Sequence, residues 1–472
     1  MAKTLYVDLD GTLCRSDTLF EASLQLLLHS PAKLLGLILA LLKSRAQLKR
    51  FVSANVELSP KSLPFHEDFL AYLRRERAMG TRLVLATAAD EKIAKSVSDH
   101  IGLFDSYISS DGQVNLKGSA KLERIKEDTP EFHYAGNAPV DLAIWNDAKG
   151  AVVVGPESLK EKAARLTNVD QWFPPEKTRL QVTLKALRVH QWAKNLLVFL
   201  PLLLSHSLNL KSYLLAFLGW LIFSLVASSV YLVNDLVDLK SDRGHPTKKK
   251  RPLAYGSMPL HHGVAWAGIC FAAGLVFAFF LGHEALIAIG VYFIVTTIYS
   301  FKLKKIALVD TLTLAGLFTW RIISGGLITS TELSFWLMVF SVFFFLSLAF
   351  AKRAAELNTM KQIGRKKAAG RGYVVDDSFV ISQLGISCGI ASVVIFGLYL
   401  NSVATNELYS SPEYLILACG FILFWISRIW LLTTRGEMNE DPVAFAVKDK
   451  ASYIIAVGVF ISVVLATLIN DT

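Results

Sequence analysis

Asn234-Asp235-Leu236-Val237-Asp238-Leu239-Lys240-Ser241-Asp242 follows directly on an apolar run from Ser212 to Val233. Its three carboxylates stand at i, i+3 and i+7, so a helix continued through them carries all three on one face. Like charges one turn apart repel and destabilise a bare helix. An oxygen-preferring divalent cation relieves that repulsion, and Mg2+ is commonly held by one or two carboxylates together with substrate phosphates. Lys248, Lys249, Lys250 and Arg251 come next. Acids suited to a metal, beside cations at the end of an apolar run, predict a diphosphate site at a membrane boundary. The competing reading is a solvated acidic loop.

Outward from this stretch the chain divides by composition. Of its 472 residues 53% are hydrophobic and only 19% charged, which is too apolar for an ordinary soluble protein. Charges run throughout residues 1–185, whereas apolar stretches of spanning length recur from Lys194 onward. Nine spans are expected, beginning near Lys194, Ser212, His262, Glu284, Ile306, Phe335, Phe379, Tyr414 and Tyr453; the first is short and contains Pro201. The connecting segments alternate in charge. Segment 234–258 holds six Lys/Arg, 299–305 three, 351–378 seven and 427–452 four, while the intervening ones hold almost none. The positive-inside rule then puts the rich loops in the cytoplasm and carries Asn470-Asp471-Thr472 to the other face. This clustering accounts for the net charge of +10 and excludes nucleic acid as its partner. The four cysteines have no metal-ligand or redox spacing and read as buried thiols. Met1 to Asp8 shows no signal peptide, so the first domain is expected in the cytoplasm.

The rich loops also hold the polar residues that suit chemistry. Arg188 to Asn195, with Lys194 and Asn195 at its end, lies before the first span, Tyr299 and Lys304 lead to Asp310, and Lys352, Arg353 and Glu356 follow the sixth apolar run. Cations at span ends also snorkel to the interface without chemical purpose. Asp310 and Arg321 are different, because they lie inside an apolar run, where a charge faces a partner or a cavity. His190 and His245 have no second ligand spaced for them and read as interface residues.

Asn234-Asp235-x-x-Asp238-x-x-x-Asp242 at the end of a span resembles the UbiA superfamily of intramembrane prenyltransferases. His245-Pro246, Arg251-Pro252-Leu253-Ala254, Tyr299-Ser300 with Leu303-Lys304, the single Asp310 and Lys352-Arg353-x-x-Glu356-Leu357 resemble its decaprenyl-phosphate phosphoribosyltransferase branch. Aromatic prenyltransferases of the superfamily carry a second aspartate four residues on; here that position is Leu314. The resemblance implies an all-α polytopic membrane domain over residues 188–472. It implies transfer of 5-phosphoribose from phosphoribosyl diphosphate to a polyprenyl phosphate. Asp235, Asp238 and Asp242 would hold Mg2+. Asn234, Lys194, Asn195, Lys248, Arg251, Tyr299, Lys304, Asp310, Arg321, Lys352, Arg353 and Glu356 would bind the substrates.

At the other end, Leu5 to Val7 is a short β-type run closed by Asp8-Leu9-Asp10-Gly11-Thr12. Two carboxylates at a strand end before a glycine turn suit a nucleophile, a neighbouring acid and Mg2+. This resembles the haloacid dehalogenase (HAD) superfamily, with Thr87 after the apolar run Arg82 to Ala86, Lys121, and Asn137 and Asp141 at its further motifs; Asn137 stands where Asp is usual. The resemblance implies an α/β, Rossmann-like phosphatase domain over residues 1–170, with a helical cap at 15–76 and a linker at 171–187. Asp8 would accept the phosphoryl group, Asp10 would serve as acid and base, and Thr87 and Lys121 would hold the phosphoryl oxygens. A second Mg2+ would lie among Asp8, Asp10, Asn137 and Asp141. Within the cap, Leu34 to Leu42 is too short to span a bilayer; it is either a buried cap helix or an interfacial one.

The two halves together imply a bifunctional membrane enzyme. It would make a polyprenyl-linked 5-phosphoribose and then remove the 5-phosphate, giving a precursor of arabinosyl donors for cell-wall glycans. The expected setting is a bacterial plasma membrane, with a homo-oligomer possible. The rival readings are a UbiA-type transfer of an isoprenoid to an aromatic acceptor, a transferase with a non-catalytic HAD module, and a membrane scaffold.

Overall fold

A computed structural model describes residues 3–110, 116–245, 247–365, 371–438 and 441–469. The chain forms two compact units: residues 1–188 with 231–268, and residues 189–230 with 269–472.

The first unit is built on a parallel sheet of β1 (Thr4–Val7), β2 (Arg82–Asp90), β3 (Ser106–Ser110), β4 (His133–Gly136), β5 (Gly150–Val154) and β6 (Asn168–Phe173), in the order β3-β2-β1-β4-β5-β6. Parallel strands covered on both faces read as continuous apolar runs. Leu5-Tyr6-Val7 and Gly150 to Val154 are such runs, and both are buried throughout. The sheet separates two cores, one around Leu5, Val7, Phe69 and Leu85, the other around Tyr6, Tyr134, Trp145 and Val153. The stretch read as a linker, 171–187, begins inside β6 and includes a helix at Arg179–Ala186, started by a Thr178/Gln181 capping box.

The segment between β1 and β2, read from the sequence as a cap, is helical. It opens with α1 (Thr18–His29), whose first turn is capped by Asp17 accepting from the N–H groups of Leu19 and Phe20 at 2.9 and 3.1 Å. Next come α2 (Leu34–Lys43) and α3 (Arg45–Asn55). The helix α2 is not the buried cap helix that apolar composition allows: Ala40 is its one buried residue. Leu35 and Leu42 are 66% and 75% exposed. Within the same unit, Arg243 from the loop after Val237 pairs with Glu21 of α1. Its Nη1 and Nη2 donate to the two carboxylate oxygens at 3.1 and 2.5 Å, and it also donates to the carbonyls of Ser62 at 2.8 Å and Ala254 at 3.0 Å.

Eight helices among the described residues are long and apolar enough to cross a membrane, so the protein is an integral membrane protein. They are α4 (Leu210–Val237), α5 (Leu260–Leu281), α6 (His283–Phe301), α7 (Val309–Thr329), α8 (Phe335–Gln362), α9 (Ser378–Leu400), α10 (Leu415–Arg435) and α11 (Lys450–Leu468). The expected count of nine is corrected to eight. The first candidate is an 11-residue 3₁₀ run, Val189–Phe199, followed by five α-helical residues around Pro201. Proline cannot donate a helical hydrogen bond, and Pro201 sits where the second, shorter piece starts. Residues 470–472, whose side of the membrane rested on that count, lie outside the described residues. Packing in the second unit relies on small residues where helices approach closely. A Cβ on Gly385 of α9 would stand 2.1 Å from the Trp430 ring of α10. Cys14 and Cys270 are buried, Cys388 and Cys419 half-buried, and all four are free.

Arg243→Ala removes one member of a buried pair whose side chains are 10% and 5% exposed. Stranding the Glu21 carboxylate should cost about 3–5 kcal/mol. A lowered melting temperature of the detergent-solubilised protein, together with new proteolytic cleavage after Asp242, is the expected outcome.

Candidate active sites

Three polar clusters emerge, one at the sheet edge, one after α4 and one in the second unit. At the sheet edge, Val7 pairs with Leu85 and Ala135, so Asp8 and Asn137, just past β1 and β4, stand beside Thr87, which lies inside β2 because that strand runs on past Ala86 to Asp90. Ligands of open α/β sheets bind at that edge. Lys121 Nζ donates to Asp8 Oδ1 at 2.7 Å and to the Tyr134 hydroxyl at 3.1 Å. Tyr134 in turn donates to Asp141 Oδ1 at 3.1 Å. The N–H groups of Asn137 and Ala138 donate to Asp141 Oδ2 at 3.0 and 2.9 Å. Asn137 Oδ1 accepts from the Thr12 hydroxyl at 3.3 Å. Gly11 has a φ of +81°, and a Cβ there would meet Asn137 Nδ2 at 2.0 Å, so the turn requires glycine twice over. Thr87 Oγ1 accepts from the Ala89 N–H at 3.0 Å. The N–H of Thr18, at the start of α1, donates to Asp10 Oδ1 at 2.8 Å.

Electrostatics raise two of these acids. Burial, reinforced by the Asp17 and Asp8 carboxylates and opposed by the Thr18 N–H, pushes Asp10 up to about 7. Burial and Asp8 push Asp141 up to about 6, against Lys121 and the Ala138 and Asn137 N–H groups. An acid with a value near neutrality can both give and take a proton at physiological pH.

After α4 the predicted continuous helix is corrected. It stops at Val237, Asp238 forms a turn, and a short helix Leu239–Arg243 follows. The three carboxylates therefore do not share one helix face. Asp235 and Asp242 are nevertheless buried together, because Arg251 Nη1 donates to both, at 3.0 and 2.6 Å. Arg188 Nη2 adds a bond to Asp235 Oδ1 at 2.5 Å. Asp238 is half-buried, Asn234 lies one residue before Asp235, and Lys248 opens a 3₁₀ turn within the same loop. Among the described residues no three His, Cys, Asp or Glu side chains gather as a metal cage. Two carboxylates converging on one cation still match what Mg2+ takes from a protein when phosphates complete its shell. Pro246 lies outside the described residues.

In the second unit Asp310 has no solvent exposure. It accepts from Arg353 Nε at 2.5 Å, the Tyr299 hydroxyl at 2.7 Å and Arg371 Nη1 at 3.0 Å. Arg353 also pairs with Glu356. Arg321 is separate from this knot: its Nε donates to Asn195 Oδ1 at 2.8 Å and its Nη2 to the Tyr292 hydroxyl at 3.2 Å. Lys194 and Lys352 converge on Asp441. Lys304 lies in the 3₁₀ turn Leu303–Lys305. Three contributors were missed by sequence reasoning. Arg188 is 47 residues from Asp235, Arg371 is 61 from Asp310, and Asp441 is 247 from Lys194; no local spacing marks such partners.

Comparison with known proteins bears on residues 196–469, which match the model of the UbiA prenyltransferase family. An uncharacterized protein of Sinorhizobium fredii, y4nM, is 38% identical over 456 residues, covering 96% of this chain and 88% of that one. A decaprenyl-phosphate phosphoribosyltransferase of Mycolicibacterium smegmatis is 30% identical over 294 residues, covering 60% and 91%. Among solved structures, a UbiA homolog from Archaeoglobus fulgidus bound to GPP and Mg2+ is similar with a TM-score of 0.46 at 15% identity, covering 60% of this chain and 99% of that one.

Asp441 has a pH signature. Burial works to raise it, but Lys352 and Lys194 prevail and hold it at about 2. A carboxylate depressed on folding contributes stability above its unfolded value of about 3.9 and loses it as pH falls through the folded one. The contribution, about 2 kcal/mol, should therefore vanish between pH 4 and pH 2. Melting curves across that window should show Asp441→Asn less pH-sensitive than the wild type, and less stable at pH 6.

Proposed function

The chain belongs to the UbiA prenyltransferase family, and on that premise we propose that it transfers 5-phosphoribose from phosphoribosyl diphosphate to a polyprenyl phosphate and then removes the 5-phosphate. The observation that carries the first step is the Asp310 knot. Tyr299, Asp310 and Arg353 come from three separate branch motifs and meet on one buried carboxylate. Leu314 stands where a second acid would serve aromatic prenyl transfer. The M. smegmatis relative bears the name of the same reaction.

In this reading an oxygen of the lipid phosphate attacks C1 of the ribose as the bond from C1 to diphosphate breaks, and diphosphate leaves. Mg2+ held by Asp235, Asp238 and Asp242 would neutralise the departing diphosphate and orient it. Arg251 and Arg188, already drawn to these acids, would turn to phosphate oxygens, which they bind as well as carboxylates. In the second unit Lys194 and Lys352, with Asn195, Lys304, Arg321 and Glu356, would offer polar groups to a substrate phosphate, and in the first unit Lys248 and Asn234 would do so beside the acidic pair. The charge alternation of the loops supports a plasma-membrane protein with these loops in the cytoplasm.

The second step rests on the sheet-edge cluster, read as a HAD-type phosphatase over residues 1–170 joined to a transferase over 188–472. Asp8 attacks the phosphorus. The leaving ribose oxygen takes the proton of Asp10, whose value of about 7 keeps a substantial share of it protonated near neutrality. Asp10 then takes a proton from the water that hydrolyses the aspartyl phosphate. Lys121 and Thr87 hold the phosphoryl oxygens, and Asp8, Asp10, Asn137 and Asp141 offer oxygens to a second Mg2+. Asn137 in place of a carboxylate favours the alternative of a lapsed phosphatase.

Incubation of the purified protein with labelled phosphoribosyl diphosphate, polyprenyl phosphate and Mg2+ tests the first step. Asp235→Ala and Asp242→Ala should each lower transfer at least about a hundredfold, a loss of roughly 2.7 kcal/mol of transition-state stabilisation. Near-normal transfer by the double variant would sink the metal assignment. For the second step, Asp8→Asn should leave transfer intact and accumulate lipid product one phosphate heavier by mass spectrometry. A wild type that itself releases no phosphate from that product would reduce the N-terminal domain to a non-catalytic role.

A further inference from the structure

We propose that α2 is an interfacial anchor that lays its apolar face into the lipid headgroup boundary. Its sequence, Leu34-Leu35-Gly36-Leu37-Ile38-Leu39-Ala40-Leu41-Leu42-Lys43, holds one charge. Leu34, Leu35, Ile38, Leu39, Leu41 and Leu42 are all exposed, and Phe20 and Leu28 of the adjoining α1 add to the apolar surface. A contiguous patch of this kind on a soluble face is an aggregation liability unless something covers it.

The cover follows from what holds the cap in place. Helix α1 is fastened to the ends of two consecutive membrane helices. Glu21 pairs with Arg243, six residues beyond the end of α4, and the Phe20 ring lies 5.2 Å from the ring of His261, the second residue of α5. Those helix ends mark the bilayer boundary, so the cap is tied to the chain where lipid headgroups lie. Ten helical residues reach about 15 Å, half of a hydrocarbon core of about 30 Å, so α2 lies on the membrane and does not cross it. Lys33 and Lys43 bracket the apolar face, as suits anionic headgroups and side chains whose stems snorkel. The ligand is therefore a lipid surface. The consequence for the proposed phosphatase, which this part of the inference rests on, is positional. The first residue of α1 donates its N–H to Asp10, so a cap seated in the interface holds the sheet-edge site beside lipid-borne phosphomonoesters.

The test uses the full chain in lipid nanodiscs, with an environment-sensitive fluorescent amino acid placed by codon reassignment at position 35, 42 or, as control, 91. Nitroxide-bearing lipids should quench positions 35 and 42 several-fold more than aqueous iodide does, and the order should reverse at the exposed Glu91 position. Iodide quenching at 35 and 42 equal to the control would overturn the anchor. So would energy transfer between labelled copies that replaces lipid quenching, since it would make a second copy the occupant. A further arm reads the consequence. L35S/L42S should raise KM several-fold for the lipid-linked phosphomonoester and leave hydrolysis of p-nitrophenyl phosphate unchanged. If the wild type hydrolyses neither substrate, the phosphatase reading fails, while the quenching result still decides the anchor.

Discussion

A carboxylate with no solvent exposure inside an apolar bundle survives only when fully paired, and Asp310 sets the terms for the second unit. Its neighbours supply four hydrogen bonds, from Tyr299, Arg371 and two nitrogens of Arg353. Meeting that demand brings helices α6, α7 and α8, and the segment after Gly370, to one point. The same constraint acts at Asp441, which needs Lys194 and Lys352, and at Arg321, which is held by Asn195 and Tyr292. The polar residues proposed to handle phosphate and the pairs that hold the bundle together are thus the same residues. In the proposed reaction a substrate phosphate would exchange one anion for another, leaving Arg and Lys countered before and after binding.

The first unit meets the charge problem at a sheet edge. Parallel strands lie in register, so the turns after β1 and β4 and the last residues of β2 deliver Asp8, Asn137 and Thr87 to one place with little backbone cost. The chain Asp8, Lys121, Tyr134, Asp141 then links acid to base to acid through hydrogen bonds near 3 Å. Two of the acids rise toward neutrality because their environment is dry and already negative. A carboxylic acid held near neutrality in this way can both give and take a proton at one pH.

Arg243 joins these themes within the first unit. It lies one residue after Asp242 of the acidic motif, and its pairing with Glu21 ties that motif's loop to the cap of the α/β domain. The cap is therefore part of the setting of the acidic loop as well as of Asp10.

Much of this was legible in the residues alone. Apolar runs of spanning length marked eight helices, because length and hydropathy are local properties that a bilayer reads directly. The run Leu5 to Val7 before Asp8 marked a short strand, since β-type apolarity is also a local property; that it is buried and pairs in parallel came from the fold. The Val189–Leu204 segment was over-read, since apolarity does not report that its backbone takes 3₁₀ geometry for 11 residues. The acidic triad was seen, but its helix breaks at Asp238, a matter of local backbone that spacing does not encode. Partners could not be read at all: Asp310 takes Arg371 from 61 residues away, and Lys194 takes Asp441 from 247 away. Whether α2 was buried or exposed was equally open, because an apolar decapeptide fits a core and a membrane surface alike; only the packing of the cap around it left its leucines uncovered. The sequence by itself determined which segments enter the membrane and which carry acids, since those are sums over neighbouring residues. The tertiary structure decided which charge answers which, since pairing depends on distances that only the folded chain brings about.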